Sequence, residues 1–500
     1  MSKQTEVAMA RAERFSSRWG LLAAALGMAI GTGNIWRFPR IAAKNGGGAF
    51  LIPWMVALVL WSIPLLMAES AMGRATRRGT VGSFGTIMGR RFAWMGGFVA
   101  LCTIAIMCYY SVVTGWCLRY LAAAVIGTVG RVDPELFWQS FVGSQTQPVF
   151  FHLLAMVIAA TILFGGVAGG IERVSKVLIP ALFVILAIGA LRSLTLPGAT
   201  AGLEFLFRPN WNSLAHYRVW LEGLTQSAWS TGAGWGLFLT YAVYSRSRED
   251  VPLNSLVVGF GDNSASLLVG MGLFPAVFAL APALGLVPGQ VLTEPGPAST
   301  GMAFLWIPRL FAACPGGGLL TALFFLALSV AAITSLISML ELATCNLVDA
   351  GMRRNHAVTL SATFGFLAGI PSALRLSFLE NQDWVWGLGL LLCGLFFAIA
   401  VHHFGVKRFR EELLNVPGAA TKVGRWWELT VRFIIPAEFV LLVGWWFYQA
   451  IVVFEPHSWW NPLRPFSLGT CVIQWGAGVT VLLLANRFLA RCSKGARSSS

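Results

Sequence analysis

The sequence predicts an all-α membrane protein of twelve transmembrane helices, built as a five-plus-five inverted repeat with helices 1 and 6 broken. Three observations predict it. The 500-residue chain is 56% hydrophobic and 11% charged, with a mean hydropathy of +0.70, which separates it from soluble globular domains. Apolar runs of about 20 residues, the length that crosses hydrocarbon, recur from end to end. Two of these runs, five apart, are interrupted by clustered glycines: the first at Gly31-Thr-Gly33 and the sixth at Ser230-Thr-Gly-Ala-Gly-Trp-Gly236. Interrupted helices at matching places in two halves are the mark of an inverted repeat. Five being odd, the second copy enters the membrane from the opposite face.

The spans follow in order, set off by their basic flanks. The first, 21–44, comes after Lys3, Arg11, Arg14 and Arg18, and the second, 50–73, precedes Arg74, Arg77, Arg78, Arg90 and Arg91. The third is 92–121 and the fourth 149–164; Arg173 and Lys176 then lead into the fifth, 178–194. The sixth, 217–244, ends at Arg246 and Arg248. Between the seventh (256–284) and the eighth (319–348) runs a long connection rich in Pro and Gly. Its apolar centre, Met302-Ala-Phe-Leu-Trp-Ile307, predicts a segment folded back over the outer mouth. Arg353 and Arg354 follow the eighth; the ninth is 357–370 and the tenth 384–402. Lys407, Arg408, Arg410, Lys422 and Arg425 lead to the eleventh, 433–454, and the twelfth, 468–489, closes on Arg491, Lys494 and Arg497.

Every even connection is basic and the odd ones are sparse, which puts both termini in the cytoplasm by the positive-inside rule. The net charge of +15 is therefore topology, and no nucleic-acid partner is expected. A single transporter domain, 1–500, is expected, with repeats at about 18–200 and 210–405 and two peripheral helices at about 430–490. The N-terminal stretch shows no small-residue cleavage site, so no signal peptide is read. Eight cysteines lie mostly inside apolar spans without a CxxC pair, as buried thiols do.

Chemistry concentrates where helices break. Every backbone group in hydrocarbon needs a partner. The break in Leu26-Gly-Met-Ala-Ile-Gly-Thr-Gly-Asn-Ile-Trp-Arg-Phe-Pro39 frees carbonyls at one end and amides at the other. Such groups replace the water shell of a small cation and receive a carboxylate. Gly27 and Gly31 also form a GxxxG spacing, which packs helices. Asn34 favours the site, because a buried amide oxygen suits a hard cation and adds little to a glycine contact. Asp262 is an acid inside the seventh span, functional by default unless it lies near a solvated helix end. Thr334 and Ser335 either back-bond within their helix or present hydroxyls to a ligand. Tyr110 is either a core tyrosine or a ligand contact.

Arg37-Phe-Pro39, Asn45-Gly-Gly-Gly-Ala-Phe50 and the glycine break before them resemble the neurotransmitter:sodium symporter family, bacterial amino-acid transporters of the leucine-transporter fold. The resemblance continues, in order, through the sixth, seventh, eighth and tenth spans. It implies sodium-coupled uptake by alternating access in a cell membrane, the bacterial inner membrane, with two sodium sites and no organic cofactor. The first sodium site would use Ala29, Asn34, Ser230 and Asp262; the second Gly27, Ile30, Ala331, Thr334 and Ser335. All are oxygen donors, which suits a hard cation.

By the same resemblance the amides near Thr32 and Gly33 and the Tyr110 hydroxyl receive the substrate carboxylate. Ala29, Gly31, Ile106, Trp229, Ser230, Gly232, Trp235, Ser335 and Met339 complete an uncharged pocket. Gly31 stands where monoamine carriers have an aspartate, so a neutral, hydrophobic L-amino acid is implied. Asp262 stands where relatives often carry asparagine. Ser266 and Gln226 match the chloride cradle of chloride-dependent relatives, but Trp54 replaces their tyrosine. With the charge of Asp262 in place, transport independent of chloride is expected, with proton counter-transport when the site is empty. Met28 departs from the asparagine common in relatives.

Arg37 and Asp383 match the outer gate, with Trp235 as its lid; Tyr244 and Asp349 match the inner one. There Ala12 and Phe15 replace the usual arginine and tryptophan, leaving Arg11 or Arg14 as the substitute. Two other readings stay open: a transport-inactive amino-acid receptor on the same scaffold, and a carrier of another small zwitterion. An enzyme is not expected, since HExxH, paired catalytic acids and a serine elbow are missing from the sequence. Oligomeric state is not legible.

Overall fold

The computed structural model describes residues 13–417 and 419–492. Lys3, Arg11, Ala12, Lys494 and Arg497, which entered the topology and gate readings, lie outside the described residues. Among the described residues nine helices are long and apolar enough to cross a membrane. A tenth span is the pair Arg18–Ala29 and Thr32–Lys44, bent by 50°. The sixth span is Tyr217–Ser230 and Leu237–Val243, and Leu468–Leu484 is the short twelfth. Together they make the twelve expected, with the first and sixth broken.

The breaks have local causes. In the first span the helix stops at Ala29, and Thr32 and Gly33 already belong to the next piece, so the break lies at Ile30 and Gly31. This is slightly earlier than Gly31-Thr-Gly33. The Gly31 N–H donates to Asn34 Oδ1 at 2.9 Å, and that bond caps the new helix before Gly33 is reached. In the sixth span Gly232, Gly234 and Gly236 have φ of +70°, +90° and +76°, a region that other L-residues rarely adopt.

The third span is longer than its apolar run, Arg90–Ile126, and the twelfth is shorter, ending at Leu484. After that end Asn486 accepts from Trp94 N–H at 2.9 Å and approaches the Arg90 and Arg91 carbonyls. These bonds tie the following turn to the start of the third span.

The helix Arg18–Ala29 is buried along nearly its whole length, and the third and eighth spans pack against each other. The eleventh span, Arg425–Phe454, leaves Phe433, Val440 and Leu441 exposed, and the twelfth buries only Gly469, Thr470 and Cys471. The connection 285–318 contains three short helices and a π-helical turn, Met302–Trp306. Phe304 in that turn packs among Trp36, Tyr120, Trp138 and Phe325, with ring centroids 4.9–6.0 Å apart. The segment is thereby seated on the helix that follows the first break. Among the described residues seven cysteines are buried and free.

Candidate substrate and sodium site

Asp262 lies near the middle of Val251–Leu280 and is fully buried, so the solvated helix-end reading does not hold. The Asn34 side-chain nitrogen donates to Asp262 Oδ1 at 2.7 Å and lies 2.9 Å from Ser266 Oγ and 3.1 Å from Ser230 Oγ. Ser230 Oγ donates to Asp262 Oδ2 at 2.8 Å. Three residues expected at the first cation site thus converge from both broken spans and the seventh. Among the described residues Asp262 is held by neutral donors and forms no ion pair. A buried charge without a counter-charge is costly, and a bound cation removes that cost. Both amide atoms of Gln226, one turn before Ser230, and of Asn263, next to Asp262 in the chain, are buried without a protein partner, as is Trp54 Nε1 in the second span.

Of the residues expected at the second site, Gly27, Ala331, Thr334 and Ser335 also meet. Ser335 Oγ lies 3.3 Å from the Gly27 carbonyl and 3.4 Å from that of Met28. Thr334 Oγ1 donates to the Val330 and Ala331 carbonyls at 3.0 and 3.1 Å, so the back-bonding reading of this hydroxyl is realised. A Cβ on Gly27 would stand 3.0 Å from Thr334 Cβ and 3.1 Å from Ile179 Cδ1. This glycine therefore also serves close packing, as the GxxxG spacing allows. Among the described residues no three His, Cys, Asp or Glu side chains gather. The oxygen set is carbonyl, hydroxyl and one carboxylate, which suits a hard cation; the Asn34 amide turns its nitrogen to Asp262 while its oxygen accepts from Gly31 N–H.

Between the two clusters lies the pocket. The Tyr110 hydroxyl is 3.3 Å from Thr32 N and 3.4 Å from Thr32 Oγ1. A Cβ on Gly31 would sit 3.3 Å from that hydroxyl and 3.2 Å from Ser335 Oγ, so the missing side chain leaves space between them. Ile106, Met339 and Trp235 are buried. A Cβ on Gly232 would find Met28 Cε nearest, at 3.8 Å, so the thioether side chain faces this position. Nothing lies within 4 Å of a Cβ on Gly33.

The gates differ from the simple pairing. Arg37 stacks its guanidinium over Trp229 at 4.2 Å from the ring centroid, an arrangement that attracts a cation to the indole face. Asp383 instead accepts from the Tyr109 hydroxyl at 2.9 Å, and no Arg37–Asp383 contact is among the ion pairs of the described residues. On the other side Tyr244 donates to Glu341 at 2.6 Å. Glu341 is held by both terminal nitrogens of Arg354, at 2.7 and 2.9 Å, and Arg354 also meets Glu13 at 3.2 Å. Asp349 accepts from Gly79 N–H at 2.6 Å. The arginine beside Tyr244 thus comes from the start of the ninth span, Arg354–Leu374, and the N-terminal segment contributes an acid.

Three more acids escaped the sequence reading. Glu69, fully buried in the second span, accepts from Gly234 N–H at 2.5 Å and from Leu239 N–H at 3.4 Å. It anchors the broken sixth span by its exposed amides. Glu172 accepts from Ser16 N–H at 2.6 Å and from the Ser16 and Ser17 hydroxyls at 2.5 and 3.0 Å, fastening the approach to the first span. Glu341 is the third. All are acids in or beside apolar runs, and the rule that singled out Asp262 would have found them.

The profile of the sodium:neurotransmitter symporter family matches residues 12–140 and 140–489. An uncharacterised sodium-dependent transporter of Methanocaldococcus jannaschii is 30% identical over 441 residues, covering 85% of this chain and 88% of the relative. One from Bacillus subtilis is 29% identical, covering 86% and 96%. The crystal structure of MhsT in complex with L-phenylalanine superposes with a TM-score of 0.74 at 29% identity, over 86% of this chain and 99% of that one.

Proposed function

The chain belongs to the sodium:neurotransmitter symporter family, and from that premise we propose that it takes up a neutral, hydrophobic L-amino acid without requiring chloride. It is a sodium-dependent symporter and not an enzyme. The observation that carries the proposal is the buried Asp262 cluster beside the space at Gly31. Tyr110 and the first amides of Thr32–Lys44 hold the substrate carboxylate. Ile106, Trp229, Gly232, Trp235 and Met339 surround an apolar side chain. MhsT, whose structure holds L-phenylalanine, supports this class of substrate.

One sodium ion sits among Ala29, Asn34, Ser230 and Asp262, and a second among Gly27, Ile30, Ala331, Thr334 and Ser335. Asp262 supplies the negative charge that chloride supplies elsewhere. When the site empties, the uncompensated carboxylate takes a proton and carries it outward. The repeats fall at about 18–200 and 210–405, with the two remaining helices peripheral and both termini cytoplasmic. Arg37, Trp229, Tyr109 and Asp383 close the outer side; Tyr244, Glu341, Arg354 and Asp349 close the inner side.

A thermal-shift screen of amino acids in sodium buffer tests the substrate class. Stabilisation by hydrophobic L-amino acids is the expected result. Stabilisation by a monoamine or a cationic amino acid alone would overturn the pocket assignment. The transport-inactive receptor is distinguished by accumulation: it would be stabilised in the screen yet accumulate nothing in vesicles.

A further inference from the structure

We propose that a crevice between the fifth, seventh and eighth spans holds one acyl chain of an anionic glycerophospholipid from the surrounding bilayer, with its phosphate on Arg192. The proposal goes beyond the transport reading and takes from it only the placement of the chain in a membrane. The crevice is walled by Leu186 and Gly189 on the fifth span, Val269 and Leu273 on the seventh, and Phe324 and Ala327 on the eighth. Ile35, on the helix that follows the first break, also lines it, and the only polar residue of its lining is Ser193. Lipid lies close by, because Val184, Ile188 and Leu191 of the fifth span are exposed.

Two independent features point to this occupant. The first is Gly189. Glycine weakens a helix relative to alanine, so its presence in mid-helix needs a reason such as a close contact or a left-handed backbone. Gly272 on the facing wall has one, since a Cβ there would stand 3.3 Å from the Ala190 backbone. A Cβ on Gly189 would meet nothing within 4 Å, and its φ is not positive. What this glycine provides is open space along the crevice.

The second feature is Arg192, one turn further towards the end of the same helix. It bonds Thr195 Oγ1 at 2.7 Å and the Pro315 carbonyl at 3.4 Å, and no acidic side chain pairs with it among the described residues. The helix ends two residues later, at Leu194, which is where a headgroup lies when a span crosses hydrocarbon. A guanidinium there matches a phosphate in charge and geometry. The chain below it would touch Ile35, the neighbour of Asn34, and so reach the helix that carries the ion-site amide.

Native mass spectrometry of the purified protein with dioleoyl phosphatidylglycerol and dioleoyl phosphatidylcholine tests this. The wild-type protein should retain one phosphatidylglycerol more tightly than phosphatidylcholine. Arg192→Gln should weaken phosphatidylglycerol about five-fold, the effect of one basic residue near a lipid surface, and leave phosphatidylcholine unchanged. Gly189→Leu and Ala327→Leu fill the crevice from opposite walls and should abolish retention of both lipids. Retention by both filled variants equal to wild type, or unchanged phosphatidylglycerol affinity in Arg192→Gln, would overturn the proposal. Arg192 is half-exposed, so its variant reports even if a filled variant fails to fold. Because binding is read without transport, failure here leaves the proposed function standing, and the reverse.

Discussion

Replacing Glu69 by Gln removes a charge that touches neither ion nor substrate in the site, yet it should weaken substrate binding. Glu69 is fully buried, and its carboxylate accepts from Gly234 N–H at 2.5 Å and, more weakly, from Leu239 N–H at 3.4 Å. The Gly234 amide lies where the sixth span is unwound, between Ser230 and Leu237, and the Leu239 amide lies in the first turn of Leu237–Val243, so neither has a helical acceptor of its own. Hydrogen bonds to a charged group contribute about 1.5–3 kcal/mol. Glutamine keeps one acceptor oxygen but turns the other into a donor facing the same amides. The contact at 3.4 Å adds little, so the cost should come mainly from the Gly234 bond, about 1.5–3 kcal/mol. Where that cost falls on the ordered, substrate-bound arrangement of Gly232 and Trp235, affinity drops by about 10- to 150-fold. Isothermal calorimetry of the stabilising amino acid in sodium buffer measures it directly. Glu69→Asp, which keeps the charge with a shorter reach, should fall between wild type and Glu69→Gln. Wild-type affinity in Glu69→Gln would refute the idea that this carboxylate holds the broken helix in its binding form.

Other perturbations separate the parts of the site. Tyr110→Phe should weaken substrate binding by about 1–3 kcal/mol if its hydroxyl holds the carboxylate, and unchanged affinity would remove that role. Thr334→Val keeps volume and deletes one oxygen, so the half-saturating sodium concentration should rise sharply in an uptake titration; an unchanged value would clear Thr334 of sodium binding. Glu341→Gln leaves Arg354 with Glu13, at 3.2 Å, as its remaining acid, so the loss stays below the roughly 3–5 kcal/mol of a fully broken buried pair. That cost should appear as easier opening of the inner side, read by faster alkylation of a cysteine placed at Ser338, and unchanged labelling would refute it.

The architecture was legible because it is written in periodic, strongly patterned features. Apolar runs, alternating basic connections and two glycine clusters five spans apart locate twelve helices and both breaks. The exact point of the first break was not legible, because it depends on one local bond, Asn34 Oδ1 to Gly31 N–H, rather than on glycine spacing. Asp262 stood out as an acid in a span, whereas Glu69 and Glu341 obey the same rule and were passed over. Their partners are a backbone amide in another span and an arginine thirteen residues on, pairings that only the folded helices bring together. The outer gate shows the same limit. Arg37 and Asp383 carry opposite charges, but Trp229 and Tyr109 lie nearer to each of them, and no sequence spacing encodes that geometry.

The central claim is that Asp262 carries the negative charge of a sodium-driven amino-acid carrier. It is tested most directly by uptake of a radiolabelled hydrophobic L-amino acid into proteoliposomes under an inward sodium gradient, with chloride replaced by gluconate. The account predicts accumulation that survives the replacement, disappears when potassium replaces sodium, and strengthens when the vesicle interior is made acidic. In Asp262→Asn the remaining uptake should become dependent on chloride, with the orphaned nitrogens of Gln226 and Trp54 available to the anion. Loss of wild-type uptake in gluconate, or equal accumulation in potassium, would contradict it.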